Sequence, residues 1–287
     1  MLLPRIVLYA TVFALGSIVG SFLNVCIYRL PRDRSIISPP SHCPQCGGRL
    51  RAVDLVPLFS FLALGRKCRF CGGPIGWRYF TVELLTGVLF VAGWFGAGES
   101  LQAVPYWVFI AATIAVVFTD LDHMIIPDGL VIAAFVAGVA AWALAAASGQ
   151  LALLSVRLPW GGVALPRWLA GGVVGVVVFM GVRAFSQLLF RREGMGLGDV
   201  KLAGAIGAML GPGMAMLSFG LAVATGAVLG LALIALRVRR RMEYLPFGPF
   251  LAAASLVALL APRWLLSSAV GLYERWVGFS LGLAGGG

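Results

Sequence analysis

Eight apolar stretches dominate this chain, near residues 5–28, 79–97, 104–120, 129–148, 167–190, 199–212, 214–236 and 246–262. Crossing a hydrocarbon layer takes about 20 such residues in a helix, and most of these stretches approach that length. In lipid, every backbone N–H and C=O must be satisfied internally, so continuous apolar runs of this kind span as helices. Of the 287 residues, 60% are hydrophobic and 11% charged, more apolar surface than a soluble domain could hide. The expected fold is therefore an all-α polytopic membrane protein with about eight transmembrane segments. The sixth segment, KLAGAIGAMLGPG, is short and glycine-rich, and reads as a half-span packed closely on its neighbours. The N-terminal stretch shows no small-residue cleavage site before Arg29 and reads as the first span, not a signal peptide.

The formal net charge is +11, and its placement sets the orientation. Between Arg29 and Arg78 stand nine Arg or Lys against Asp33 and Asp54. Further basic clusters are Arg191, Arg192 and Lys201, then Arg237, Arg239, Arg240 and Arg241. By the positive-inside rule all three regions face the cytoplasm. If the spans alternate, 120–128, 191–199 and 237–245 fall on that same side, as their charges independently require. Attraction to anionic membrane lipid is the expected partner interaction of these clusters, with no nucleic-acid role.

Two acidic sites carry the chemistry: FTDLDHMIIPD, Phe118 to Asp128, and GMGLGD, Gly194 to Asp199. At a bilayer centre an Asp costs about 2.5–3.5 kcal/mol against insertion, so acids kept beside spans are functional candidates. Asp120 ends one span and Asp199 begins another at the same face. Gly196, Gly198, Gly204, Gly207 and Gly211 allow backbones to approach there. Two carboxyls sharing one proton around a water can hydrolyse a peptide bond. The helix ends make the pair unequal: the C-terminus behind Asp120 opposes its charge, whereas the N-terminus at Asp199 favours it. Asp199 is thus expected to hold the charge and Asp120 the proton. Alternative readings stand beside these. Asp199 and Asp128 also suit helix caps, Asp122 and His123 suit a solvated turn, and two acids on one face suit a proton or cation path in a transporter.

Cys43-Pro-Gln-Cys46-Gly-Gly and Cys68-Arg-Phe-Cys71-Gly-Gly form two near-identical knuckles separated by 21 residues. Four thiolates in two CxxC pairs suit tetrahedral Zn²⁺, and the reducing cytoplasm disfavours disulfides; a thioredoxin-like redox pair and a set without ligand are the alternatives. A structural zinc would fold a small cytoplasmic insertion between the first two spans. His42 adjoins Cys43, but four sulfurs complete the shell. Cys26, in the first span, is expected to pack or to face lipid.

FTDLDHMIIPD followed roughly 70 residues later by GLGDVKL resembles the paired signature of the bacterial prepilin peptidases, or type IV leader peptidases, intramembrane aspartic proteases of the GxGD type. GSFLNVCIYRLP (Gly20 to Pro31), RYFTVELLTG (Arg78 to Gly87) and LPFGPFLA (Leu245 to Ala252) resemble further family blocks in the family's order. The resemblance covers about residues 14–255. It implies Asp120 and Asp199 as catalytic acids, with Asp122, Gly196, Gly198 and Lys201 as supporting candidates from the same motifs. Pro246 and Gly248 fall where such proteases carry a proline-containing strand or loop near the site; a plain helix-starting breaker is the alternative. Glu83, expected in the first turn of the second span, either orients an amine or is simply a dipole-favoured acid.

The resemblance further implies cleavage of the basic leader from type IV prepilins or type II secretion pseudopilins at the cytoplasmic face of the inner membrane. It also implies methylation of the new N-terminus with S-adenosylmethionine, although no G-x-G-x-x-G marks a soluble methyltransferase fold. Family enzymes often read Gly-Lys-Cys or Gly-Arg-Cys before the third cysteine; here Gly65-Arg66-Lys67-Cys68 has one residue more. The expected organisation is a first span at 1–28, a zinc-binding region at 29–78, a protease core at 79–262 and an interfacial tail at 263–287. A proton- or cation-coupled transporter and a zinc-bearing scaffold are the rival classes.

Overall fold

The computed structural model describes residues 2–149, 153–158, 161–190, 195–236, 246–262 and 264–269. Among the described residues, six helices are long and apolar enough to cross a membrane: α1 (Leu2–Arg29), α3 (Trp77–Gly96), α4 (Ala103–His123), α5 (Asp128–Ala147), α6 (Arg167–Phe190) and α7 (Leu197–Ala235). A shorter apolar helix, α8, covers Gly248–Leu260, and a five-residue helix, α2 (Phe59–Ala63), lies between α1 and α3. The chain is thus a multi-pass membrane protein. Large apolar side chains such as Val173, Val177, Leu188, Val228 and Leu231 stand exposed, as lipid-facing side chains do.

All eight expected segments fall on helices, but the sixth and seventh are the two limbs of α7. Gly211 breaks it with φ 73° and ψ 169°, a conformation open to glycine, and Pro212 follows. Neighbours along α6 give the direction of each limb. The first limb runs antiparallel to α6, with Gly207 against Gly171 and Ala203 against Gly175, backbone on backbone. Beyond Gly211 the chain returns along the same helix, so that Phe219 packs on Phe179 with ring centroids 4.9 Å apart. The fifteen residues of the first limb rise about 21 Å at 1.5 Å per residue, short of a full crossing. That agrees with the half-span expected from its glycine content.

A second glycine seam joins α1 to α3. A Cβ on Gly20 would stand 2.8 Å from Glu83 Cα, and one on Gly16 would stand 2.9 Å from Gly87 Cα. Such close approach replaces the hydrophobic drive that lipid cannot supply. The buried core between the helices holds Ile27, Val82, Phe109, Ile110, Ile114, Leu202, Ile206 and Leu251. Cys26 packs into it, 4% exposed, which settles its two expected environments. Indole N–H groups tie helices together as well: Trp107 donates to Phe90 O at 2.8 Å and Trp142 to Ala208 O at 3.0 Å.

The all-helical expectation omitted one element. Between α5 and α6, β1 (Leu153–Leu158) and β2 (Gly161–Pro166) pair antiparallel, Leu153 opposite Pro166 and Leu158 opposite Gly161. The alternation of Leu154, Val156 and Leu158 with Ser155 and Arg157 is a strand signal in the sequence. The basic clusters at 191–192 and 237–241, and most of the expected tail from 263, lie outside the described residues.

Candidate active site and metal centre

Asp120 lies one turn before the end of α4 and is 6% exposed. The expected span stopped at Asp120; the helix continues through Leu121, Asp122 and His123. Met124 closes it in the left-handed conformation (φ 55°), its N–H donating to Asp120 O at 2.9 Å. Asp199 occupies the third position of α7, behind Gly196 as the flanking cap residue. It is not itself the cap: it is the acidic residue of the helix's first turn, its Oδ2 3.5 Å from where a Cβ on Gly196 would stand.

Three segments bring these acids together. Ile126, in the α4–α5 connection, lies against Gly198 and Gly248, with Ile126 Cβ 3.1 Å and Ile126 Cδ1 3.3 Å from where their Cβ atoms would stand. Gly248 opens α8, and its N–H donates to Asp120 Oδ2 at 3.0 Å. The two carboxylates are near enough to repel each other when both are charged. The site is thus assembled from the end of α4, the start of α7 and the start of α8, at one end of the bundle.

This arrangement alters one expectation. The inequality between the acids rested on the C-terminus of α4 opposing charge on Asp120. The N-terminus of α8 points at the same carboxylate and favours charge there. Both acids therefore face a helix N-terminus, and helix ends alone do not divide the proton between them.

The other candidates sit apart from the pair. Asp122 forms an exposed ion pair with Arg78 on α3, and His123 Nε2 lies 3.2 Å from an Arg32 guanidinium nitrogen. Lys201 pairs with Asp128 at 2.7 Å, both side chains exposed. Asp128 is not a cap, since Pro127 flanks the helix and Asp128 is its first-turn acid. Pro246 precedes α8, and residues 246–262 contain no strand. Glu83 departs most from expectation. Because α3 begins at Trp77, Glu83 lies in its second turn, 8% exposed, and accepts the Leu58 N–H at 2.8 Å. It is not a first-turn acid. Ile126 and the Arg78–Asp122 pair carried no signal in the sequence beyond membership of the motifs.

The cysteine region repeats itself in space. Cys43 N–H donates to Gly48 O at 2.9 Å and Gly47 N–H to Cys43 O at 2.9 Å. Cys68 N–H donates to Gly73 O at 2.8 Å and Gly72 N–H to Cys68 O at 2.9 Å. Gly47 (φ 71°) and Gly72 (φ 68°) make a left-handed turn after each cysteine pair. The sulfurs of Cys43, Cys46, Cys68 and Cys71 all lie within 4.8 Å of one another. A tetrahedral zinc with bonds of about 2.3 Å places its sulfurs about 3.8 Å apart, so a small contraction seats the ion. Backbone N–H groups of Cys71 and Phe70 bring the Cys68 thiol down to about 7. Cys71 is pushed up to about 11: the Gly73 N–H favours its thiolate, but burial and the crowding sulfurs of Cys46, Cys68 and Cys43 outweigh it. A dication relieves that crowding, so the residues fit zinc. The extra residue before Cys68 is absorbed by two successive left-handed residues, Gly65 (φ 58°) and Arg66 (φ 63°), and Arg66 lies over the Trp77 ring at 4.6 Å.

Comparison with known proteins bears on both halves of the chain. Residues 14–96 match the bacterial peptidase A24 N-terminal domain, and residues 107–231 match the type IV leader peptidase family. The prepilin leader peptidase/N-methyltransferase of Aeromonas hydrophila is 34% identical over 295 residues, covering 91% of this chain and 94% of that one. The protein of the same name from Bacillus subtilis is 34% identical over 248 residues, covering 86% and 92%. That of Myxococcus xanthus is 39% identical over 198 residues, and there this chain covers just over half of the relative, 55%, and the match takes in 69% of this chain. No solved structure matches. Identity sustained over nine-tenths of both chains, together with the two family matches, makes this protein a member of the type IV leader peptidase family.

Proposed function

We propose that this protein is a prepilin peptidase of the inner membrane that removes the basic leader of type IV prepilins or pseudopilins, using Asp120 and Asp199 as its catalytic dyad. One observation carries the reading: two acids distant in sequence meet at one end of the bundle, Asp120 on the Gly248 N–H at the start of α8 and Asp199 in the first turn of α7. One carboxyl protonated and one ionised activate a water between them and protonate the leaving amine as the peptide bond breaks. The substrate's apolar helix stays in lipid and its charged leader in the cytoplasm, so the scissile bond reaches the membrane surface. The nine basic residues between Arg29 and Arg78 support a cytoplasmic site by the positive-inside rule.

The same protein then methylates the amine that cleavage exposes, with S-adenosylmethionine as donor; the double name of its relatives supports this. A structural zinc held by Cys43, Cys46, Cys68 and Cys71 orders the region between α1 and α3. We group the chain as a first span (1–28), this zinc region (29–78), the protease core (79–262) and a tail (263–287). The test is purified full-length protein incubated with a prepilin, the products weighed by mass spectrometry. Leader and mature chain separated by one cut, with 14 Da added only when S-adenosylmethionine is present, is the expected result. An intact prepilin overturns the proteolytic reading.

A further inference from the structure

A cavity of about 280 Å³ lies where α1 and α3 leave the core and meet the cysteine region. Its size approaches the lower limit of small-molecule sites. Its walls come from three parts of the chain: Asn24 and Tyr28 on α1, Tyr79 and Glu83 on α3, and Asp54 and Gln45 from the segment between. It is separate from the Asp120–Asp199 pair, none of whose residues line it.

The chemistry of its floor is that of an acceptor. Asn24 is 4% exposed; its amide nitrogen donates to Tyr79 O at 3.1 Å, whereas its Oδ1 is buried with no partner. A buried amide oxygen without a donor costs about 1–3 kcal/mol, so the position is built for something that donates. Glu83 lines the same cavity, also buried, with the Leu58 N–H on its carboxylate and, among the described residues, no cation paired to it. The buried cation nearby, Arg29, is spent on the carbonyls of Ser35 and Pro39. Asp54 is likewise occupied, by Arg69 at 2.8 Å and by the Arg51 N–H at 3.1 Å. The unmet demand is thus for a ligand carrying positive charge and N–H or O–H donors, next to aromatic rings.

We propose that this cavity is the binding site of the methyl donor, with Asn24 Oδ1 and the Glu83 carboxylate receiving its ammonium or hydroxyl donors; the proposal rests on the methyltransferase reading above. S-adenosylmethionine carries a sulfonium, an ammonium, a ribose diol and an exocyclic amine, all suited to that lining. The cavity is also linked to the helix end that carries Asp120. Arg78, next to Tyr79 on its wall, pairs with Asp122, two residues from Asp120. A freshly cut N-terminus therefore has a short path to the donor. In the transfer, the amine lone pair forms the new N–C bond with the donor methyl. The C–S bond breaks with its electrons left on sulfur, and the nitrogen sheds one proton to solvent. Asn24 and Glu83 act as positioning residues in this scheme.

The test is binding, read apart from turnover. Equilibrium dialysis of radiolabelled S-adenosylmethionine against the full-length protein in detergent compares wild type with Glu83→Gln and Asn24→Leu, using zinc content and thermal midpoint as measures of folding. Tenfold or greater weakening in each folded variant is expected, and equal binding overturns the proposal. Direct ultraviolet cross-linking of methyl-labelled donor to wild type, followed by peptide mapping, decides the matter if the variants fail to fold. Label within 21–29 or 76–83 supports the site, and label confined to other peptides overturns it. A wild type that cleaves prepilin but neither binds nor transfers the label overturns the methyltransferase reading together with this site.

Discussion

The backbone N–H of Gly248 donates to Asp120 Oδ2 at 3.0 Å, tying the start of α8 to the last turn of α4. Glycine is required at this contact. A Cβ on residue 248 would stand 2.6 Å from that oxygen and 3.1 Å from the carboxyl carbon. Gly248→Ala must therefore push the carboxylate or α8 aside. Displacing a catalytic group by about 1 Å lowers rate about 100-fold, which is the loss in kcat expected. Steady-state cleavage kinetics check it; a variant within twofold of wild type would show that the hydrogen bond does not set the acid's position.

Asp122 differs from its neighbour two residues earlier, for its partner is the Arg78 guanidinium and its side chain is partly exposed. Exposed pairs of this kind contribute about 0.2–1 kcal/mol. Asp122→Asn is accordingly expected to keep cleavage within tenfold of wild type and to shift the thermal midpoint by only a few degrees. Loss of activity comparable to that of Asp120→Asn would move the catalytic acid by two residues.

The seam between α6 and α7 leaves no room for a side chain at Gly171 or Gly207, since each meets the other's backbone. Gly207→Val forces the helices apart, at a cost of about 1–3 kcal/mol for overpacking. Thermal unfolding in detergent should show a lowered midpoint. An unchanged midpoint would mean that this packing contributes little to stability.

Metal content gives a third kind of test. Wild-type protein is expected to carry one zinc per chain, and Cys43→Ser or Cys68→Ser to lose most of it, with faster proteolysis between residues 29 and 76. The pH dependence has a definite sign. Cys71, held up to about 11, is protonated at neutral pH, whereas Cys68, at about 7, is partly ionised. Zinc must displace the Cys71 proton, and below pH 7 the Cys68 proton too. Affinity therefore falls as pH falls, and more steeply below 7 than above. Affinity independent of pH between 6 and 8 would contradict a thiolate site.

Much of this architecture was legible in the chain because lipid imposes length and continuity on each span. The cysteine spacing likewise encodes its own geometry, and the two knuckles repeat one hydrogen-bond pattern. The details that escaped belong to tertiary contact. The extension of α4 to His123 depends on Met124 turning left-handed, a local choice without a residue signature. The second-turn position of Glu83 follows from α3 starting at Trp77. The proton division between Asp120 and Asp199 could not be read from their own helices, because the third contributor, α8, arrives from 128 residues away. The strand pair at 153–166 did carry an alternating pattern, but it is short and set between long apolar runs.

The most direct measurement is cleavage of a purified prepilin by Asp120→Asn and Asp199→Asn, each compared with wild type at equal folded concentration. An asparagine can neither lend nor take the shared proton, so both variants are expected to lose at least about 1000-fold in kcat, and the double variant little more, as for groups that act as one unit. Near-normal turnover in either single variant would contradict a water activated between these two carboxyls.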